Sequence, residues 1–116
     1  MQYLLLIHDD ERTWPSLPKA EQHEIIREYA QLTAELRESG VYLGSNRLAP
    51  AATAATVRVR DDQELVTDGP FAETKEQLGG YYLIEVDSLD EALEWAAKIP
   101  SARLGGSIEV RPIAEM

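Results

Sequence analysis

Few residues in this chain have chemistry within reach, and most of them lie in residues 68–76. That segment holds Asp68, Glu73, Lys75 and Glu76 around the turn Asp68-Gly69-Pro70, with Phe71 directly after it. A lysine close to carboxylates can orient an anionic or carbonyl group, and loss of water can lift a neighbouring Asp towards the working range of an acid or base. On this reading Asp68 is the general acid or base, Lys75 holds the anion or carbonyl, and Glu73 and Phe71 complete a binding surface. A structural reading stands beside it: Asp68 caps the turn, Gly69 and Pro70 shape it, Phe71 anchors it in the core, and the charges are solvated.

His8 is the other candidate. It ends an apolar run and is followed by Asp9, Asp10 and Glu11. An imidazole beside carboxylates can exchange protons near neutral pH or contribute one ligand to a metal. The alternative is a partly exposed histidine at a strand end, with the acids solvating the loop. His23 falls off the apolar stripe of its helix and reads as a partly exposed helix residue. The two histidines share no ligand spacing, and phosphate-loop, dinucleotide and serine-elbow motifs are absent. No metal and no cofactor is expected.

The elements that must position these residues follow from periodicity. Residues 2–8 read as a strand that is apolar on both faces, Tyr3, Leu5 and Ile7 on one and Leu4, Leu6 and His8 on the other, as a strand covered on both sides would be. Trp14 to Pro18 is a loop, with Ser16 a candidate N-cap. Lys19 to Ser39 is helical, with Ile25, Ile26, Tyr29, Leu32, Thr33 and Leu36 on one stripe and Gly40 as its stop. Val41 to Leu48 is extended or mixed, and Ala49 to Ala55 is a small-residue connector. Thr56 to Arg60 and Glu64 to Thr67 form a hairpin about Asp61-Asp62. Gly79 to Val86 is a strong strand. Ser88 and Glu91 form a capping box for a helix to about Ile99, with Leu89, Ala92, Leu93 and Ala96 inward and Pro100 as its stop. Ser107 to Arg111 is the last strand. The order suits a split β-α-β antiparallel sheet, an α+β fold of ferredoxin-like type with an extra central hairpin and both helices on one face.

Residues 1–116 are expected to form a single domain, long enough to bury about two-thirds of the surface of the unfolded chain. With 44% hydrophobic and 28% charged residues the composition is that of a globular protein. Asp and Glu outnumber Lys and Arg 21 to 11, for a formal net charge of -10, and the basic residues do not cluster. That balance disfavours nucleic acid and anionic lipid as partners. Secretory and membrane-spanning segments are not apparent, there is no cysteine, and a cytoplasmic location is expected. Two helices cover only one face of a four-stranded sheet, yet the strands at 2–8 and 79–86 are apolar on both. A second copy, sheet against sheet, is the simplest cover, so a homodimer is expected.

Residues 68–76 and the Gln77-Leu78-Gly79-Gly80-Tyr81-Tyr82 that follows resemble the DGPF family, a branch of the YCII-related proteins. The opening Tyr3 to His8, the connector Leu48-Ala49-Pro50, Thr56 to Asp61, Asp90 to Ala96 and Glu109 to Pro112 fit as well. The resemblance implies a ferredoxin-like dimeric α/β barrel. It also implies genomic association with extracytoplasmic-function sigma factors, and hence a regulatory role. A His–Asp pair is proposed for the wider family; here Tyr29 stands in the region of that histidine and Glu38 near that of the aspartate. Two functions are therefore expected in competition. One is a small-molecule enzyme or binder with a pocket between sheet and helices, using Asp68 and Lys75, with His8 in its wall. The other is a non-catalytic interaction protein with an acidic surface.

Overall fold

The computed structural model describes residues 1–115. Four strands form one antiparallel sheet: β1 (Gln2–Asp9), β2 (Tyr42–Arg47), β5 (Gln77–Glu85) and β6 (Ser107–Pro112), in the order β2-β5-β1-β6. The remaining two, β3 (Ala55–Arg60) and β4 (Gln63–Asp68), pair only with each other. The helices are α1 (Thr13–Ser16), α2 (Lys19–Glu38) and α3 (Leu89–Ala97). This is an α+β chain whose strand order is compatible with a ferredoxin-like fold: β1 and β2 are separated by β5, which runs antiparallel to both.

One face of the sheet is packed. Tyr3, Leu5 and Ile7 of β1 and Tyr82, Ile84 and Val86 at β5 meet Leu32 and Leu36 of α2 and Ala92 and Ala96 of α3 in a single core, closed by Ile99. Burial of each large aliphatic side chain contributes about 1.5–3 kcal/mol. Alanine at the two innermost positions of α3 lets that helix lie close on the sheet. Two hydroxyl bridges fix the helix layer in register with its neighbours. Tyr29 on α2 reaches Ser101 at 2.7 Å, and Tyr82 donates to Thr33 at 2.9 Å while Thr33 donates to the Tyr29 carbonyl.

Several expectations need correction. The stretch from Trp14 is not all loop, because Thr13–Ser16 makes a helical turn held on α2 by Gln22, whose amide donates to the Trp14 carbonyl. Ser16 therefore does not cap α2; Pro18 occupies that position. Ile26, Leu89 and Leu93 face outward, each about half exposed, because the buried stripes of α2 and α3 are narrower than the periodicity suggested. Pro100 stops α3 and also opens a 3₁₀ turn, Pro100–Ala102. Phe71 is no core anchor at all: it is 82% exposed. The turn before it is held instead by the Gly69 amide on the Ala54 carbonyl and by the Thr56 hydroxyl on the Gly69 carbonyl.

The opposite face of the sheet carries Leu4, Leu6, Tyr81 and Leu83 at intermediate exposure. The β3-β4 hairpin does not fold over it. Its register puts Val57, Val59 and Val66 on one surface, and all three are exposed. Its tip is a two-residue turn with Asp61 and Asp62 both at positive φ (51° and 62°), which Asp tolerates better than most residues. The chain is flat, 49 × 44 × 18 Å, with a radius of gyration of 16.2 Å. A compact chain of this length would have about 13 Å.

Candidate functional site

β1 places Tyr3, Leu5 and Ile7 towards the helices, and the same alternation carries Asp9 to that side at the strand's end. A bulge in the β1-β5 pairing, between Ile7 and His8, interrupts the ladder there and leaves Gly79 beside Asp9. On the other side, the chain leaving α3 turns through Pro100–Ala102. The Ser101 carbonyl accepts from the Gly106 amide at 2.9 Å, which folds the 101–106 loop back against Asp9. The carboxylate thus lies between two Leu-Gly-Gly triplets, Leu78-Gly79-Gly80 and Leu104-Gly105-Gly106. A Cβ at Gly106 would sit 2.7 Å from the His8 carbonyl oxygen and closer still to Asp9 Oδ1, whereas one at Gly79 would be 3.7 Å from Asp9 Oδ2.

The Ser101 hydroxyl donates to Asp9 Oδ2 at 3.1 Å. Since its one proton is used there, the Tyr29 hydroxyl must donate to Ser101. The three groups form a directed chain, Tyr29 to Ser101 to Asp9. Burial pushes the Asp9 carboxyl above its ordinary value of 3.8, and the charge of Glu76 adds to this; the Ser101 hydrogen bond and His8 oppose it. Burial likewise raises the Tyr29 hydroxyl. A carboxyl moved upward and reached by a hydroxyl relay has the properties of a general acid or base.

Asp9 opens on a cleft between sheet and helices with two lobes, each about 530 Å³. That volume suits a small molecule. Trp14 and Arg47 line both lobes with Asp9, Gly79 and Ser101. Leu17, Ile25, Leu48 and Leu104 give the first lobe apolar walls. The Arg47 guanidinium lies 5.6 Å from the centre of the Trp14 ring. The rim is ordered by its own acids. Asp10 accepts from the Arg12 side chain at 2.8 and 3.0 Å, which holds its carboxyl down at about 2, and Glu11 accepts from the Ala51 amide with both oxygens.

The residues singled out from the sequence lie elsewhere. His8, Phe71 and Lys75 line a second, wider groove of about 1010 Å³ between the hairpin base and the end of the sheet, on the side away from the helices. Asp68 and Glu73 are exposed and are not among its lining residues. The cleft between sheet and helices is thus furnished by Asp9, Tyr29, Ser101 and Arg47, and not by the Asp68, Lys75 and His8 that the sequence suggested. His8 Nε2 sits 3.3 Å from Glu109, which is also paired with Arg111. Arg111 first, and His8 after it, hold the Glu109 carboxyl below its ordinary value. Among the described residues no three His, Asp or Glu side chains come together as a metal-holding group. None of the described helices is long and apolar enough to cross a membrane.

In the sequence Asp9 reads as one of three loop acids, which hides the site. Two signals could have found it: the continued alternation 3, 5, 7, 9 along β1, and the repeated Leu-Gly-Gly that clears space for a carboxylate.

An antiparallel four-stranded sheet with helices on one face and a polar relay at the end of its central strand defines an α+β protein with a small-molecule-sized cleft. Comparison with known proteins narrows the class. The YCII-related domain model matches residues 1–116, so the chain belongs to the YCII-related domain family. It is 42% identical over 115 residues to an uncharacterized protein of Rhizobium meliloti (strain 1021), covering 98% of this chain and 93% of that one.

Proposed function

We propose that this YCII-related protein is a small-molecule enzyme or binder, of the DGPF branch, in which Asp9 exchanges a proton with a ligand in the sheet–helix cleft. The observation that carries this reading is the half-buried Asp9 carboxyl, raised by burial and reached by Ser101 and Tyr29 inside a cavity of suitable size. Asp9 takes the role that the sequence suggested for Asp68. His8, Phe71 and Lys75 form an accessory groove.

The test has two stages. A thermal-shift screen of carboxylic and carbonyl compounds finds ligands; at a hundred times its dissociation constant a ligand adds about 2.7 kcal/mol of stability. Hits are then incubated with protein in D₂O, and exchange of their acidic C–H is followed by proton NMR. Exchange is expected with the wild type, lost in Asp9→Asn and kept in Asp68→Ala and His8→Ala. Loss in Asp68→Ala alone would transfer the site to the motif groove. No exchange for any hit would overturn the acid–base role of Asp9 and leave a binder; no hit at all would overturn both and leave the regulatory alternative, which the net charge of -10 favours.

The working form is a homodimer that closes a dimeric α/β barrel. Its support is the uncovered apolar face with Leu4, Leu6, Tyr81 and Leu83, the exposed Val57, Val59 and Val66 of the hairpin, and a radius of gyration some 3 Å above that of a compact chain. Soluble monomers rarely leave so large an apolar surface open. Sedimentation velocity is expected to give twice the chain mass at micromolar concentration. Val57→Asp with Val66→Asp should shift the population towards monomer. A wild-type monomer under these conditions would rule the dimer out.

A further inference from the structure

We infer that the ligand of the Asp9 cleft is a small molecule with an apolar body and a single carboxylate, the carboxylate held by Arg47 and the body lying against Trp14. This rests on the cleft being the working site, and it goes on to name what enters it.

Arg47 is the one arginine lining either lobe of the cleft. Arg12, Arg27, Arg103 and Arg111 each pair with a carboxylate; among the described residues Arg37, Arg47, Arg58 and Arg60 have none within ion-pair distance, and of these four Arg47 alone lines the cleft. In a chain with 21 acids against 11 bases, an exposed arginine without an acid at the mouth of this cavity is the group a ligand anion would meet. Its position over Trp14 does not satisfy it. The ring, 5.6 Å away at its centre, offers no hydrogen-bond acceptor to the N–H fork of the guanidinium, where a carboxylate binds by two parallel hydrogen bonds.

The surroundings limit the anion to one charge. Asp9, Asp10 and Glu11 line the same lobe as Arg47. Asp10 is offset by Arg12 and Glu11 is engaged by the Ala51 amide, so a monoanion is tolerated. A phosphate dianion would face one cation and these carboxylates. The remaining lining, with Leu17, Ile25, Leu48 and Leu104, offers a ligand body apolar contact and few polar partners.

The test uses Trp14 as its own reporter. With the chain's other tryptophan removed in Trp95→Phe, indole fluorescence is followed during titration with benzoate, cyclohexanecarboxylate, their neutral amides and inorganic phosphate. Hydrogen bonds to a charged partner are worth about tenfold or more in affinity. At least one acid is therefore expected to saturate the signal and to bind about tenfold more tightly than its amide, with phosphate inert. Arg47→Met should remove that preference and Arg47→Lys restore part of it, both melting as cooperatively as their parent. Equal binding of acid and amide, or an acid preference that survives Arg47→Met, would overturn the inference. So would the absence of any saturable signal from either acid at tens of millimolar. Asp9→Asn separates the two readings. If it keeps benzoate binding while the parent shows no proton exchange, the ligand class stands and the acid–base role falls. If exchange is seen only with neutral carbonyl compounds, the acid–base role stands and the ligand class falls.

Discussion

Asp9→Asn is expected to make the protein more stable at neutral pH while slowing proton exchange with a cleft ligand by about 10²–10⁴, the usual contribution of a positioned acid or base. The stability gain follows from linkage. A carboxyl whose value is raised above 3.8 by burial holds its proton more tightly in the fold than in the unfolded chain. Below the unfolded value both states are protonated and Asp9 costs nothing. As pH climbs from there through the raised value, the folded state alone resists ionisation, and stability is lost until the carboxyl is fully charged. At neutral pH the whole cost is present, and asparagine removes it while still accepting the Ser101 hydroxyl. Urea melts of both proteins across pH should show the curves far apart near pH 7 and converging as pH falls towards 3.8. Curves that stay parallel would mean that Asp9 titrates in the fold as it does in water. A residue that lowers stability and carries the chemistry is the trade expected at a working site.

Gly106→Val is expected to cost about 3 kcal/mol or more, a large part of the stability of a domain this size. The reason is the position of the clash. A Cβ at residue 106 would lie 2.7 Å from the His8 backbone oxygen and 3.1 Å from that of Ser101, and neither can step aside as a flexible side chain could. Relief requires β1 and the 101–106 loop to part, which breaks the Ser101–Asp9 hydrogen bond. Gly79→Ala is the control on the other side of the same carboxylate, with its nearest neighbour at an ordinary 3.7 Å. It should cost far less. Chemical denaturation of the two variants, with the Tyr29 and Trp14 signals followed by NMR, checks both claims. Similar losses from the two would show that close packing at residue 106 is not what matters.

Much of the fold was legible in local pattern. The alternation of Tyr3, Leu5 and Ile7, the stripe of Ile25, Leu32 and Leu36, the Ser88 cap that accepts from the Glu91 amide, and the Asp61-Asp62 turn each depend on neighbours a few residues away. Local pattern also misled in places. Apolarity alone put Ile26, Leu89, Leu93 and Phe71 inside, though composition cannot tell which edge of a stripe meets the sheet. The site was far less legible. Its hydroxyl comes from Ser101, 92 residues from Asp9, and its glycines matter only because β5 and the 101–106 loop bring them to either side of one carboxylate. The motif at 68–76 stands out through its charges, yet Asp68 and Glu73 are exposed, Lys75 and Glu76 line a different groove, and the motif's link to the Asp9 site is the charge of Glu76.

The strand order has a consequence for how the chain acquires its structure. β1 is formed from residues 2–9, but its two ladders join it to residues 77–85 and 107–112, with Tyr3 opposite Pro112. During synthesis the first strand therefore waits, without a sheet partner, until β5 and then β6 have emerged. Closing loops of that length exacts chain entropy before any contact repays it, which places this chain among slow folders dominated by non-local pairing. Until then Tyr3 to Ile7 is an apolar segment with open edges, the kind of sequence that chaperones hold.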